Sequence, residues 1–371
     1  MRSLSVALLL CALSAAPVLQ AGTPDDDAMP VEPPAAEPVA PAGDGPLPAF
    51  AADWITGAEF ERQLEKVHGG IPDPETGLFG PDSMMWRITR YIEPGGLATG
   101  RAILMHVSHP WIAQGIGDHS KSRHSLLERG RDTFSYALIM VYGNREQALQ
   151  AARDVRLQHD RVQGRMPHAA GAFAAGSEYR ANEAGAMLWV HATMWESMMI
   201  GYELMNGPVS AADKDRFYEE TKLFAFLFGI PETALPENWD AMIRFCEDFR
   251  HSDRMTITPE AKDLVKFLYG SHGVLMWLPM KYNKLVTTAN IPPELREAYG
   301  FKWGPVRSVV YDVSIDTIKV AHWALPNVLL ENPVRREALA RIRGQRAGWF
   351  TRLELRLALG RSRLVGIEET E

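Results

Sequence analysis

The sequence predicts an all-α, multi-helix fold, and three observations carry that prediction. The stretch Asn144–Gly164 has helical periodicity with capping residues at its start. Met187–Met205 is apolar almost all round, as a helix buried on most sides must be. No series of short alternating strands punctuated by Gly or Asn appears anywhere in the chain, and no internal repeat is found.

The first stretch is the most informative. Ala148, Ala152, Val155, His159 and Val162 fall on one face at helical spacing, while Arg and Asp residues take the other. Asn144 caps the start, Gln147 can reach back in a capping box, and Gly164 is the expected stop. A histidine thus sits on an apolar stripe between small neighbours. It reads either as a core histidine bonded to a backbone carbonyl or as an axial ligand in an apolar cavity. The run Met187–Met205 is broken by His191, Glu196 and Glu203, which makes it a core helix rather than a membrane span.

The remaining elements follow from local signals. A helix is expected around 58–67, followed by turns. Ser83 caps another helix, ended by Glu93-Pro94-Gly95-Gly96. The run 101–109 is too short to assign from periodicity, Gly117-Asp118-His119-Ser120 reads as a polar turn, and 129–142 is helical again. Ser210 with Asp213 opens a helix running to Gly229. Others are expected near 239–249, 259–269 and 292–299, with more irregular chain between them.

Residues 1–21 have the layout of a secretory signal peptide: one Arg, an apolar run from Leu4 and a small residue at Ala21. Export to the periplasm or medium is therefore expected, with a membrane-anchored or cytoplasmic protein as the alternative. Residues 22–50 hold eight prolines with Ala, Asp and Glu, the composition of a disordered linker. A single helical domain is expected over 51–371. Its tail, 335–363, carries nine Arg against two Glu, so a solvated helix face or peripheral membrane contact is expected there.

The formal net charge of −7 argues against nucleic-acid binding. With Cys11 in the leader, Cys246 stands alone, so disulfides, cysteine-rich zinc sites and CxxCH haem attachment are excluded. There is no GxSxG, P-loop, GxGxxG before a helix or HExxH, and no paired Glu-x-x-His of a di-iron bundle. What remains is a set of histidines near buried helices: His106, His109, His119, His159 and His191. Arg129 and Thr133 form an i, i+4 pair. Were Arg129 buried, it would need an anion or a strong acceptor.

The pieces GRAILMHVSHPWIAQGIGDHS, RGRDTF, VYGNREQALQAARDVRLQHDRVQG and YRANEAGAMLWVHATMWES, in that order, resemble the MpaB/rubber-oxygenase family, which includes latex clearing proteins. The likeness extends through FAFLFGIPETALPENWDAM and is strongest over 85–250. The resemblance implies a globin-like helical core with extra surrounding helices, holding non-covalent haem b. It implies dioxygen chemistry on a C=C bond of an apolar isoprenoid or lipid, small or polymeric. By the same resemblance, His159 is the proximal iron ligand, and Arg129 and Thr133 lie across the haem as catalytic residues. His119 and His191 support the pocket, and 101–109 is helical. Some latex-cleaving members carry a Lys before the Thr, where this chain has Asp132, and their catalytic Glu has no clear counterpart here. A haem or hydrophobic-ligand carrier without catalysis, or a structural domain with a core His159, are the alternatives.

Overall fold

The computed structural model describes residues 54–71, 73–119, 123–270 and 274–359, leaving aside the side chains of 123–132, 274–276 and 358–359. The predicted signal peptide, the linker, Ser120 and the last residues of the basic tail lie outside the described residues. So does the side chain of Arg129.

The all-α expectation holds. In chain order the helices are α1 Gly57–Gly70, α2 Met84–Ile88, α3 Ile92–Val107, α4 Pro110–His119, α5 Arg123–Tyr142 and α6 Arg145–His159. A small antiparallel hairpin follows, β1 Gln163–Arg165 with β2 Glu178–Arg180. Then come α7 Ala184–Asn206, α8 Ala211–Phe226, α9 Trp239–Arg250, α10 Pro259–Leu268, α11 Val274–Asn290 and α12 Pro293–Ala298. The chain closes with α13 Pro305–Ala324, α14 Asn327–Leu330, α15 Pro333–Ile342 and α16 Trp349–Leu359.

At the centre α7 lies along α3. The close approach depends on glycine. A Cβ at Gly201 would stand 2.3 Å from the Pro94 carbonyl oxygen, and on the side of α3 that meets α11 one at Gly100 would stand 1.9 Å from Thr287 Oγ1. This explains one departure from the sequence reading. Glu93-Pro94-Gly95-Gly96 does not end a helix but forms the start of α3, where proline lacks only an amide that would be orphaned anyway. The helix capped by Ser83 accordingly stops early, at Ile88.

Three further expectations are corrected. The helix begun at Asn144 has the predicted capping box, with Asn144 and Gln147 bonding each other's backbone amides at 2.9 Å. It ends at His159, short of Gly164, because the chain from Gln163 pairs with β2 instead. Gly164 sits against Tyr179, where a Cβ would lie 2.5 Å from the phenolic oxygen. Asp118 and His119 belong to the last turn of α4 rather than to a turn. The chain expected to be irregular between 269 and 292 forms the long helix α11, whose period is interrupted by Pro279, and no helix is expected where the valine-rich α13 stands.

A buried ion pair stands within the α3–α7 core. Arg101, 3 % exposed, directs Nη2 to Glu196 Oε2 at 2.9 Å, Nη1 to Ser197 Oγ at 2.7 Å and Nε to the Asn290 carbonyl at 3.0 Å. A buried guanidinium with an acidic partner thus stands at Arg101, a residue the sequence does not single out.

Three of the tail arginines are tethers. Arg336 pairs with Glu354, Arg341 donates to the Tyr142 carbonyl at 2.7 Å, and the Arg335 guanidinium lies over the Trp86 ring. Among the described residues, no helix is long and apolar enough to cross a membrane.

Candidate functional site

His159 occupies the last turn of α6, half-buried, below Ala148 and Ala152, which are fully packed. Its ring centroid lies 6.4 Å from that of Phe228, just beyond α8. Phe228 lies 5.2 Å from Phe224, and Phe224 lies 6.4 Å from His191 on α7. Two predicted site residues from distant parts of the chain are thus joined through an aromatic seam. Trp195, one turn after His191, closes the seam edge-on against Phe224 at 5.1 Å.

The polar atoms of this seam are unusual. Both ring nitrogens of His191 and the indole Nε1 of Trp195 are buried without a hydrogen-bond partner among the described residues. Such groups normally find one, because each orphan costs on the order of 1–3 kcal/mol. Burial with no compensating bond pushes the His191 imidazole down to about 3, so it is neutral at ordinary pH. On the neighbouring α3, His106 bonds the Val190 carbonyl at 3.1 Å, and burial lowers it to about 4. The bond from a histidine ring across the α3–α7 contact is therefore made by His106, not by His191.

His109 is the helix-end residue its place before Pro110 implied. Its Nδ1 accepts from the Trp111 amide at 3.2 Å, and its ring lies among Trp111, Phe173 and Phe249. Burial and the Arg254 charge lower it to about 3.

The other predicted residues spread outward. His119 lies at the exposed end of α4, where Nε2 meets the Gln163 carbonyl at 3.2 Å and ties that helix to the hairpin. Its neighbour Asp118 accepts from Gln114 at 2.9 Å and from the Tyr179 hydroxyl at 2.5 Å. Thr133 is exposed on α5. The Arg129 backbone lies one turn before it, which keeps the predicted i, i+4 register.

The sequence reading missed Phe224, Phe228 and Trp195 as partners of the two histidines. FAFLFG reads as ordinary core, and only the three-dimensional meeting of α6, α7 and the end of α8 gives it another meaning. Among the described residues no three His, Cys, Asp or Glu side chains gather as a metal-binding group. An iron carried in a porphyrin needs only one or two protein donors, and single imidazoles in apolar, aromatic surroundings match that demand.

Residues 86–320 match the family described as ER-bound oxygenase mpaB/B'/rubber oxygenase, catalytic domain. The chain belongs to this family. The match covers α3 through most of α13 and includes the whole seam. Two uncharacterized mycobacterial proteins are similar to it, Rv2237 of Mycobacterium tuberculosis and Mb2261 of Mycobacterium bovis. Each is 19 % identical over 235 residues, covering 61 % of this chain and 88 % of the relative. No solved structure matches. Family membership makes this an oxygenase-type catalytic domain, with dioxygen and a small-molecule substrate as the corresponding partners.

Proposed function

We propose that this protein is a haem b-dependent oxygenase that oxidises or cleaves a C=C bond of an apolar isoprenoid or lipid with dioxygen. The observation that supports it best is the aromatic seam joining His159 to a neutral His191 whose ring nitrogens have no partner among the described residues. His159 would hold the iron from the end of α6. Asn144 and Gln147 fix the other end of that helix, and the hairpin pins the chain beyond it. Arg129 and Thr133, on α5, would serve the reaction from the chain's side, the guanidinium offering positive charge to developing negative charge and the hydroxyl a hydrogen bond. Phe224, Phe228 and Trp195 would exclude water and give an alkene an apolar wall. When bound, haem supplies the oxygen chemistry, and the chain supplies binding, orientation and electrostatics.

Reconstitution with haem tests this reading. A Soret band is expected from the wild-type chain and not from His159→Ala, and full retention of the band in that variant sinks the ligand assignment. Arg129→Ala is expected to keep the band and lose oxygen-dependent formation of aldehydes or ketones from an alkene panel. A wild-type chain that binds haem yet yields no product across the panel is a carrier.

Export through residues 1–21 belongs to the same proposal. N-terminal sequencing of protein recovered from outside the cytoplasm tests it, and an intact leader on a soluble intracellular protein overturns it.

A further inference from the structure

The outer side of α13 carries an apolar stripe that no other described residue covers. Val306, Val313 and Val320 stand seven residues apart and are 71 %, 54 % and 69 % exposed. Val309 and Trp323, 61 % and 93 % exposed, fill the intervening positions, with Asp316 between them. The opposite side of the helix is committed to the protein, since Ile315 and Ile318 are buried with Leu97 and Val286. Continuous apolar surface of this kind marks an interaction site.

The pattern is a heptad. With Val306, Val313 and Val320 at position a, the d positions are Val309, Asp316 and Trp323, and the g positions are Asp312 and Lys319. β-Branched residues at successive a positions suit helix pairing, whereas helices lying on lipid anchor through Trp, Phe and Leu beneath a strongly basic face. The polar positions of α13 instead carry Arg307 and Lys319 against Asp312 and Asp316, with no surplus positive charge for anionic headgroups.

We infer that α13 is a homodimer interface, pairing antiparallel with α13 of a second copy. In an antiparallel pair each a layer meets a d layer. Val306 then faces Trp323 of the second copy, Val309 faces Val320, and Val313 faces Asp316. The same operation brings g against g, so Asp312 of each copy approaches Lys319 of the other, twice over. The charge pattern is self-complementary in this orientation and is not in a parallel one, where g faces e and Asp312 and Lys319 would meet the uncharged Thr317 and Ala324. Asp316 is the only charged group in the seam. It has Lys319 Nζ of its own helix at 3.6 Å, and burying it against Val313 specifies register at a cost in affinity.

Sedimentation equilibrium of the full chain tests the inference, with circular dichroism confirming that each variant remains helical. A concentration-dependent dimer is expected, and Val313→Lys or Val320→Lys is expected to weaken it at least a hundredfold. Asp312→Lys alone should weaken it several-fold, and adding Lys319→Asp should restore it. Asp316→Leu should tighten it about tenfold. A monomer at all concentrations, a dimer indifferent to Val313→Lys, or failure of the charge swap to restore pairing would overturn the proposal. Binding of a monomeric chain to phosphatidylcholine vesicles, lost in Val313→Lys, would overturn it in favour of lipid as the occupant.

Discussion

Arg101 Nη2 and Glu196 Oε2 lie 2.9 Å apart inside the protein, one on α3 and the other on α7, both largely shielded from water. The guanidinium is satisfied on three sides, by carboxylate, hydroxyl and carbonyl. Removing either partner leaves the other charge buried and uncompensated, at a cost of several kcal/mol.

Arg101→Met should therefore destabilise the protein by about 3–5 kcal/mol, and adding Glu196→Leu should recover much of that loss. Denaturant midpoints of the two single variants and the double variant form the cycle that checks it. Additive losses would show that the two side chains do not depend on one another.

The Cys246 thiol is buried, and its pKa is raised well above the usual value, first by burial and then by the Glu196 charge. Folded protein should be unreactive toward thiol reagents at pH 8, with one thiol appearing per chain, beyond Cys11 where the leader is retained, as denaturant crosses the unfolding midpoint. Rapid labelling of Cys246 in the native state would contradict the packing around α9.

Acid should destabilise the cofactor-free chain early. His106, His109 and His191 are lowered to about 4, 3 and 3. The unfolded chain therefore binds more protons than the native one between those values and the unperturbed pKa near 6.5. Stability is complete above that unperturbed value and falls as pH drops through the window. Unfolding midpoints measured from pH 7 to pH 4 should decline, and less steeply in His191→Leu. An identical decline in that variant would mean that His191 is not held neutral by burial.

At the start of α6, Asn144→Ala removes one half of the capping box and should cost about 1 kcal/mol. If His159 depends on that helix for its position, the same variant should also weaken haem retention measurably by titration. Loss of stability without any change in haem affinity would separate the cap from the site.

The sequence made the helical architecture legible where side-chain period and caps agree. The capping box at Asn144 and the buried run of α7 are examples, and the caps Ser83 and Ser210 both accept from the amide three residues on. It misled where one residue type serves two purposes. Pro94 and the glycines beside it look like a helix stop, yet there they start α3, and it is Gly201 on α7 that leaves room for that turn. On α13 both sides are apolar, so its period is blurred. The family pieces led to His159 and His191. The phenylalanines joining them could not be read from spacing, because Phe224 and Phe228 lie more than sixty residues from His159 and at least thirty from His191.

The contact between Gly201 and the Pro94 carbonyl bears on how this chain can drift. Most core positions accept substitution if a neighbour shrinks to match. Here the neighbour is backbone, which has nothing to give up. Gly201→Ala should cost several kcal/mol, and no single second-site change of side chain should rescue it. A relative carrying any side chain at this position must have re-seated the whole first turn of α3. That makes position 201 a marker for divergence in backbone rather than in sequence alone.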